Sequence, residues 1–222
     1  MAEIYEWPTN LLPSKCNLRL KSNKKQFTSP FNGSTQEVFY PGSRWMMDLT
    51  FDNLDDYEAR ELETILYQMD NGGAVKVPDF GRFGTNQTGI KVFSGGQTGN
   101  VLITSGWAPN QLDCVRKGEY FEVGGELKFI LKTTSSDSAG RCAIEFAPML
   151  RNSPQSGDPV EFQRPCGYFR LDQDENGPNR MPAFSNSFSV SLVETFYPGL
   201  VPQSRTQSTQ DTETNMQLGD SQ

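Results

Sequence analysis

The stretch from Arg44 to Gly73, RWMMDLTFDNLDDYEARELETILYQMDNGG, constrains the fold most, because two different periodicities meet inside it. From Trp45 to Phe51 the apolar residues Trp45, Met47, Leu49 and Phe51 alternate with Met46, Asp48 and Thr50, which predicts a strand with one buried face. The period then changes. Ala59, Leu62, Ile65, Leu66 and Met69 recur at spacings of three and four, which predicts a helix with a single apolar stripe. Asn53 is the expected N-cap, with Asp55 and Asp56 in the first turn on the favourable side of the helix dipole. Asp56 and Arg60 are spaced to pair, and Gly72 and Gly73 are expected to end the helix. No other stretch carries so clear a helical stripe, so the remainder reads as sheet.

The flanking sequence fits that reading. Cys16, Leu18 and Leu20 alternate with Asn17, Arg19 and Lys21 as a strand, followed by a turn at SNKK and a second strand within Gln26 to Phe31 that closes at Asn32-Gly33. Gln36 to Tyr40 leads through Pro41-Gly42-Ser43 into the central strand. After the helix, Val75 and Val77 form a short strand that stops at Pro78-Asp79. Residues 81–100 are rich in glycine and poor in core candidates, which marks a boundary or a long excursion. Their glycines do not have the spacing of a phosphate-binding loop, and no helical pattern follows them.

A second block of strands comes next. Val101 to Thr104 is one. Tyr120 to Val123 and Glu126 to Leu131 flank Gly124-Gly125 as a hairpin. Cys142, Ile144 and Phe146 alternate in a strand expected to end at Pro148, and Val160 to Gln163 is expected to pair with Tyr168 to Leu171. Several short strands without a helix suggest a small barrel or sandwich. Phe188, Val190 and Leu192 then alternate as in the first block. Beyond Pro202 the chain is polar, with Met216 and Leu218 its only large apolar residues, and such a composition does not fold alone.

Composition narrows the chemistry. The chain has 222 residues, a net charge of −7 and no histidine. The acidic balance argues against nucleic-acid binding by global charge. A local basic run, Lys15, Arg19, Lys21, Lys24 and Lys25, is explained by a solvated strand face and turn. Lack of histidine removes the usual general base, the Ser-His and Cys-His pairs and the common zinc sets. Cys16, Cys114, Cys142 and Cys166 are far apart and are expected as free thiols. No apolar run at the start suggests a signal peptide, and no stretch has the length of a membrane span, so synthesis in a cytoplasm is expected. Asp172, Asp174, Asn176 and Gly177 match the first half of a calcium loop, but Ala183 stands where the bidentate Glu belongs and Pro178 follows directly. A hydrophilic turn is the plainer reading. Glu122, Glu126, Glu145 and Glu161 lie on or beside strands, where exposed alternating faces account for them without an active site. Trp7, Phe80, Phe83, Phe93 and Trp107 sit in loop-like sequence and are expected to be exposed, and sugar binding or packing between subunits would each explain them.

The order of these motifs resembles a known family. A WPxxL arm at Trp7 is followed by PGSRWMMDLTFDNL, EARELETILYQMDNGGAVKVPD, VRKGEYFEVGGELKFIL, AGRCAIEFAPMLR and finally FSVSLVE. Over roughly residues 7–196 this is similar to the tailed-bacteriophage virion proteins related to distal tail proteins of the baseplate. The resemblance implies a mainly β fold: a discontinuous β-sandwich or split-barrel domain with one α-helix, and a small OB-like β-barrel inserted into it. The expected boundaries are 1–82 with 178–202 for the first domain, 86–176 for the second, and 203–222 for a polar tail held by a neighbour. The resemblance further implies a structural, non-enzymatic virion component, made in the cytoplasm of a host bacterium. It would form a ring, expected as a hexamer, joining the tail tube to the hub or tip, with tape-measure and receptor-binding proteins as further partners. No catalytic, cofactor or metal-binding residue is carried over. The alternative is a carbohydrate-binding β-module on the phage surface that serves host attachment.

Overall fold

The structure is a computed structural model that describes residues 3–39, 42–82, 84–172, 179–181 and 185–196. Fifteen strands and one helix are described: β1 (Ile4–Glu6), β2 (Lys15–Lys21), β3 (Lys24–Thr28), β4 (Thr35–Phe39), β5 (Arg44–Leu54), α1 (Asp56–Asp70), β6 (Ala74–Pro78), β7 (Lys91–Val92), β8 (Gly99–Ser105), β9 (Tyr120–Val123), β10 (Glu126–Ile130), β11 (Arg141–Leu150), β12 (Val160–Glu161), β13 (Cys166–Leu171), β14 (Asn179–Met181) and β15 (Ser185–Glu194). The fold is mainly β. The expected tail clasp, and Phe83, Asp174, Asn176 and Gly177, fall outside the described residues.

One sheet has the order β1-β6-β13-β15-β5-β2, with β14 added to β15. Its only parallel pair among the described strands is β1 with β6. Alternation works as the sequence predicts. Met47, Leu49 and Phe51 of β5 and Phe188, Val190 and Leu192 of β15 are buried in one core with all five residues of the helical stripe. The WPxxL arm is part of this core. Trp7 stacks on Phe51 with ring centroids 5.9 Å apart, and its indole Nε1–H donates to the Leu11 carbonyl at 2.8 Å.

The helix starts two residues later than expected. Asp55, not Asn53, is the N-cap: its side chain accepts from the Glu58 backbone N–H at 2.7 Å, and Glu58 accepts from the Asp55 N–H at 3.1 Å. This reciprocal capping box satisfies two otherwise orphaned donors. Asn53 instead stands next to last in β5 with a left-handed φ of 58°, a conformation that Asn tolerates. The Asp56–Arg60 pair forms at 2.6 Å.

A second sheet, ordered β12-β9-β10-β11-β8-β7, curls nearly into a barrel. Its ends meet where the Val160 N–H donates to the Ile90 carbonyl at 3.0 Å and the Val92 N–H to the Asp158 carbonyl at 2.9 Å. Ile90 and Val92 are both core residues of this barrel, which corrects the reading of 81–100 as poor in core candidates. The β9–β10 turn has positive φ at both Gly124 and Gly125, as a two-residue hairpin requires. Strand β11 does not stop at Pro148. It passes through a cis Ala147–Pro148 bond and continues to Leu150, with a register shift beyond Glu145.

Strand β13 departs most from expectation. It pairs with β6 and β15 in the first sheet, while β12 pairs with β9. The chain therefore rejoins the first sheet at Cys166. Cys166, Gly167, Tyr168 and Phe169 are all buried, so β13 carries no alternating signal from which its sheet could be inferred.

The capping geometry makes a direct prediction. Asp55→Ala should cost about 1 kcal/mol of stability in thermal or urea unfolding. Asn53→Gly, which removes no cap and relieves a left-handed residue, should melt within error of the parent or above it.

Candidate functional site

Two features stand out: a charged seam between sheet and barrel, and a hairpin outside both cores. The seam is built from strand ends. Glu126 and Lys128 lie two apart on β10 and so project to the same side. Lys128 faces Phe121 across the ladder, and its Nζ sits 5.8 Å from the Phe146 ring, within the barrel core. Its ammonium, fully buried, donates to Glu126 Oε2 at 2.6 Å and to the Met149 carbonyl at 3.0 Å. The Arg151 and Asn152 backbone N–H groups also donate to the Glu126 carboxylate, at 3.2 and 3.0 Å.

Arg151, one residue beyond β11, reaches into the sheet. Its Nη1 and Nη2 donate to Glu194 Oε1 and Oε2 at 3.2 and 2.9 Å, a two-pronged grip on the end of β15. Nη2 also donates to the Ser43 carbonyl. Glu194 accepts from the Trp45 backbone N–H at 2.9 Å, and the Trp45 indole donates to the Leu127 carbonyl of β10 at 2.9 Å. Phe196 lies over the guanidinium, 3.5 Å from its Cζ. Two formal cations and two anions thus close on one another across the seam. Burial pushes the Glu194 carboxyl above its ordinary value even though Arg151 opposes the shift, and burial pulls the Lys128 ammonium down against the pull of Glu126.

A second contact repeats the theme. Lys76 of β6 pairs with Glu122 of β9 at 3.3 Å, and Glu122 accepts from the Cys166 N–H at 3.1 Å. Burial raises the Glu122 carboxyl, with Lys76 opposing. The expectation that Glu122 and Glu126 occupy exposed faces is therefore corrected. For Glu122 a second sheet covers the outer face, which alternation cannot reveal, whereas Glu126 shares the inward side of β10 with Lys128, which pairs with it. Glu161, by contrast, is exposed and accepts from the backbone N–H groups of Gln163 and Arg164.

The aromatic candidates separate as well. Trp7 and Trp107 lie in irregular segments as expected but belong to the two cores, which corrects their reading as exposed, and the Trp107 indole donates to Thr104 Oγ1 at 2.8 Å. Phe80 packs edge-on against Trp7 and lines an open cleft of about 520 Å³ together with Leu12, Asp79, Arg82 and Arg164. Phe93 remains partly exposed beneath the Arg141 guanidinium at 4.0 Å. Asp172 donates its backbone N–H to the Ser191 carbonyl at 2.9 Å. Among the described residues no group of three or more acidic or cysteine side chains is arranged to hold a metal ion, and no helix is long and apolar enough to cross a membrane.

The hairpin is of a different kind. Among the described strands, β3 and β4 pair only with each other, over Lys24↔Phe39 to Thr28↔Thr35. Every residue of β3 is exposed. Phe27 is 55% exposed, and Phe31 at the turn is 97% exposed. The basic run enters it from β2, with Lys24 paired to Glu37 at 3.0 Å and Arg19 to Asp48. Sequence reasoning found the strands, but only the structure shows that they leave the sheet. No known family model matches the chain, and no curated protein matches it.

The seam yields a pH-dependent prediction. Arg151→Met leaves buried carboxylates without their cation and should cost about 3–5 kcal/mol at neutral pH. Because Glu194 is already raised in the folded protein, its contribution is fully present below the ordinary Glu value of 4.5 and declines as pH rises through the folded value. Removing the opposing Arg151 raises the folded value further and deepens that decline. The stability deficit of the variant, measured by urea unfolding across pH, should therefore shrink on acidification towards 4.5 and widen towards neutrality.

Proposed function

We propose that the protein is a structural, ring-forming component of a bacteriophage tail, of the distal-tail kind, joining the tail tube to the hub or tip. The β3–β4 hairpin carries the reading. An isolated two-stranded hairpin is marginal in water, and this one displays Phe27 and Phe31 to solvent. Such an element makes physical sense once a partner covers it. A ring needs a heterologous contact, in which one face of a subunit meets a different face of the next. The hairpin supplies the first face. The barrel flank, where Val101, Ile103, Leu131 and Met149 are each about 40% exposed or more, offers an apolar second face. The motif order from the WPxxL arm to FSVSLVE supports the same reading.

The seam suits this role. A subunit that transmits load along a tail must keep its two β units in fixed relation, and paired buried charges fix orientation more strictly than apolar contacts. In this reading the six-fold ring meets tail tube protein on one side and hub protein on the other.

Replacing residues 24–39 with a short Gly-Ser turn tests the proposal. The variant should keep the melting temperature of the parent yet remain monomeric by native mass spectrometry, under conditions where the full chain forms rings alone or on purified tail tube. A parent chain that stays monomeric in both settings, or a variant that closes rings equally well, would overturn it. Truncation after Pro202 should likewise leave folding intact and lower incorporation into particles.

A further inference from the structure

We propose that Cys114 and Cys142 form a latent disulfide, closed by a small peroxide once the chain leaves a reducing environment. The two thiols stand Sγ to Sγ at 3.3 Å, in contact but unbonded, inside the barrel core. A bond of about 2.05 Å requires an approach of little more than 1 Å. The surroundings hold them in place. Cys142 is on β11, and its carbonyl accepts from Thr104 Oγ1 at 3.0 Å. Cys114 lies in the segment between β8 and β9, and its Sγ also donates to the Thr134 carbonyl at 3.2 Å, beside the Val115–Thr134 bridge. Trp107, from the same segment, packs in this core. The bond would therefore tie a long irregular segment to a barrel strand through that short approach of the two sulfurs. Cys16 and Cys166 have no such arrangement: Cys166 donates its Sγ to the Arg164 carbonyl at 3.2 Å instead.

The chemistry balances with peroxide as oxidant. One sulfur, as thiolate, attacks a peroxide oxygen and becomes a sulfenic acid while water leaves. The second sulfur attacks that sulfenic sulfur, the S–S bond forms, and a second water leaves. Two thiols and one peroxide give one disulfide and two waters. Burial raises the Cys142 thiol and disfavours its thiolate, so the reaction is slow and is faster in mildly alkaline solution. Reducing conditions during synthesis keep the thiols apart. The benefit to a particle outside the cell rests on the tail reading, but the cross-link itself does not, so its failure would leave the ring proposal standing.

The test uses the full chain, purified with a reductant, desalted and exposed to hydrogen peroxide. The intact mass should fall by about 2 Da. Free thiols titrated in guanidinium should drop from four to two. Peptide mapping should join the Cys114 peptide to the Cys142 peptide, and the melting temperature should rise by roughly 5–10 °C. Cys114→Ser and Cys142→Ser should each abolish the mass loss and the thermal shift. Should those variants fold poorly, the Cys16→Ser/Cys166→Ser double variant, which keeps the core pair, should still lose about 2 Da. Stepwise oxygen addition without mass loss, or a cross-link through Cys16 or Cys166, would overturn the proposal.

Discussion

Arg151 is where the sheet and the barrel become one object. Its guanidinium leaves the end of β11, grips both oxygens of Glu194 on β15, reaches the Ser43 carbonyl before β5, and is covered by Phe196. Behind it, Glu126 binds Lys128 and two backbone N–H groups, so the arginine is anchored at its root as well as its tip. Burying such groups is costly, and an apolar seam of the same shape would be as stable or more so. The fork binds one carboxylate at two points, and Trp45 bridges Glu194 to Leu127, so the end of β15 is tied to both β10 and the end of β11. The proposed assembly would use such a tie, because a ring closes only if every subunit presents its faces at the same angle.

Much of the first sheet was legible because one face of each strand is buried and the other is wet. Met47, Leu49 and Phe51 against Asp48 and Thr50, or Phe188, Val190 and Leu192 against Ser189 and Ser191, report their burial directly. The helix was legible for the same reason, since its stripe and its burial coincide residue by residue. Its start was misplaced by two residues because Asn53, Asp55 and Asp56 are all plausible caps. What selected Asp55 was Glu58 three residues on, a signal present in the sequence.

Legibility failed where the two β units touch. Every residue from Cys166 to Phe169 is buried, so β13 shows no alternation. Glu122 looks like a surface residue because a single sequence cannot say that the outer side of a strand is roofed by another sheet, and Glu126 because its buried partner Lys128 also reads as a surface residue. Gly125 marks the contact without revealing it: a Cβ there would lie 2.2 Å from the Tyr168 ring, yet glycine was already explained by the hairpin turn. Trp7 and Trp107 were misread as exposed for a related reason. Irregular segments carry no period, so their burial has no sequence signature. The charged seam was the largest omission. Its members are separated by up to 68 positions, and only the meeting of β10, β11 and β15 brings them together.

The strand order also carries a message about time. Strand β15, near the end of the described chain, lies between β13 and β5, whereas the barrel strands all belong to one continuous span from β7 to β12. As the chain emerges from the ribosome, the barrel can complete itself while the sheet still lacks its central strand. The helix can pack on β5, β6 and β13 before then, but β5 lacks one of its neighbours until β15 arrives, and contacts of such long sequence separation form slowly. Glu194 sits at the end of β15, so the grip of Arg151 closes only after that strand has emerged, and a chain cut short before β15 would lack the carboxylate that holds Arg151.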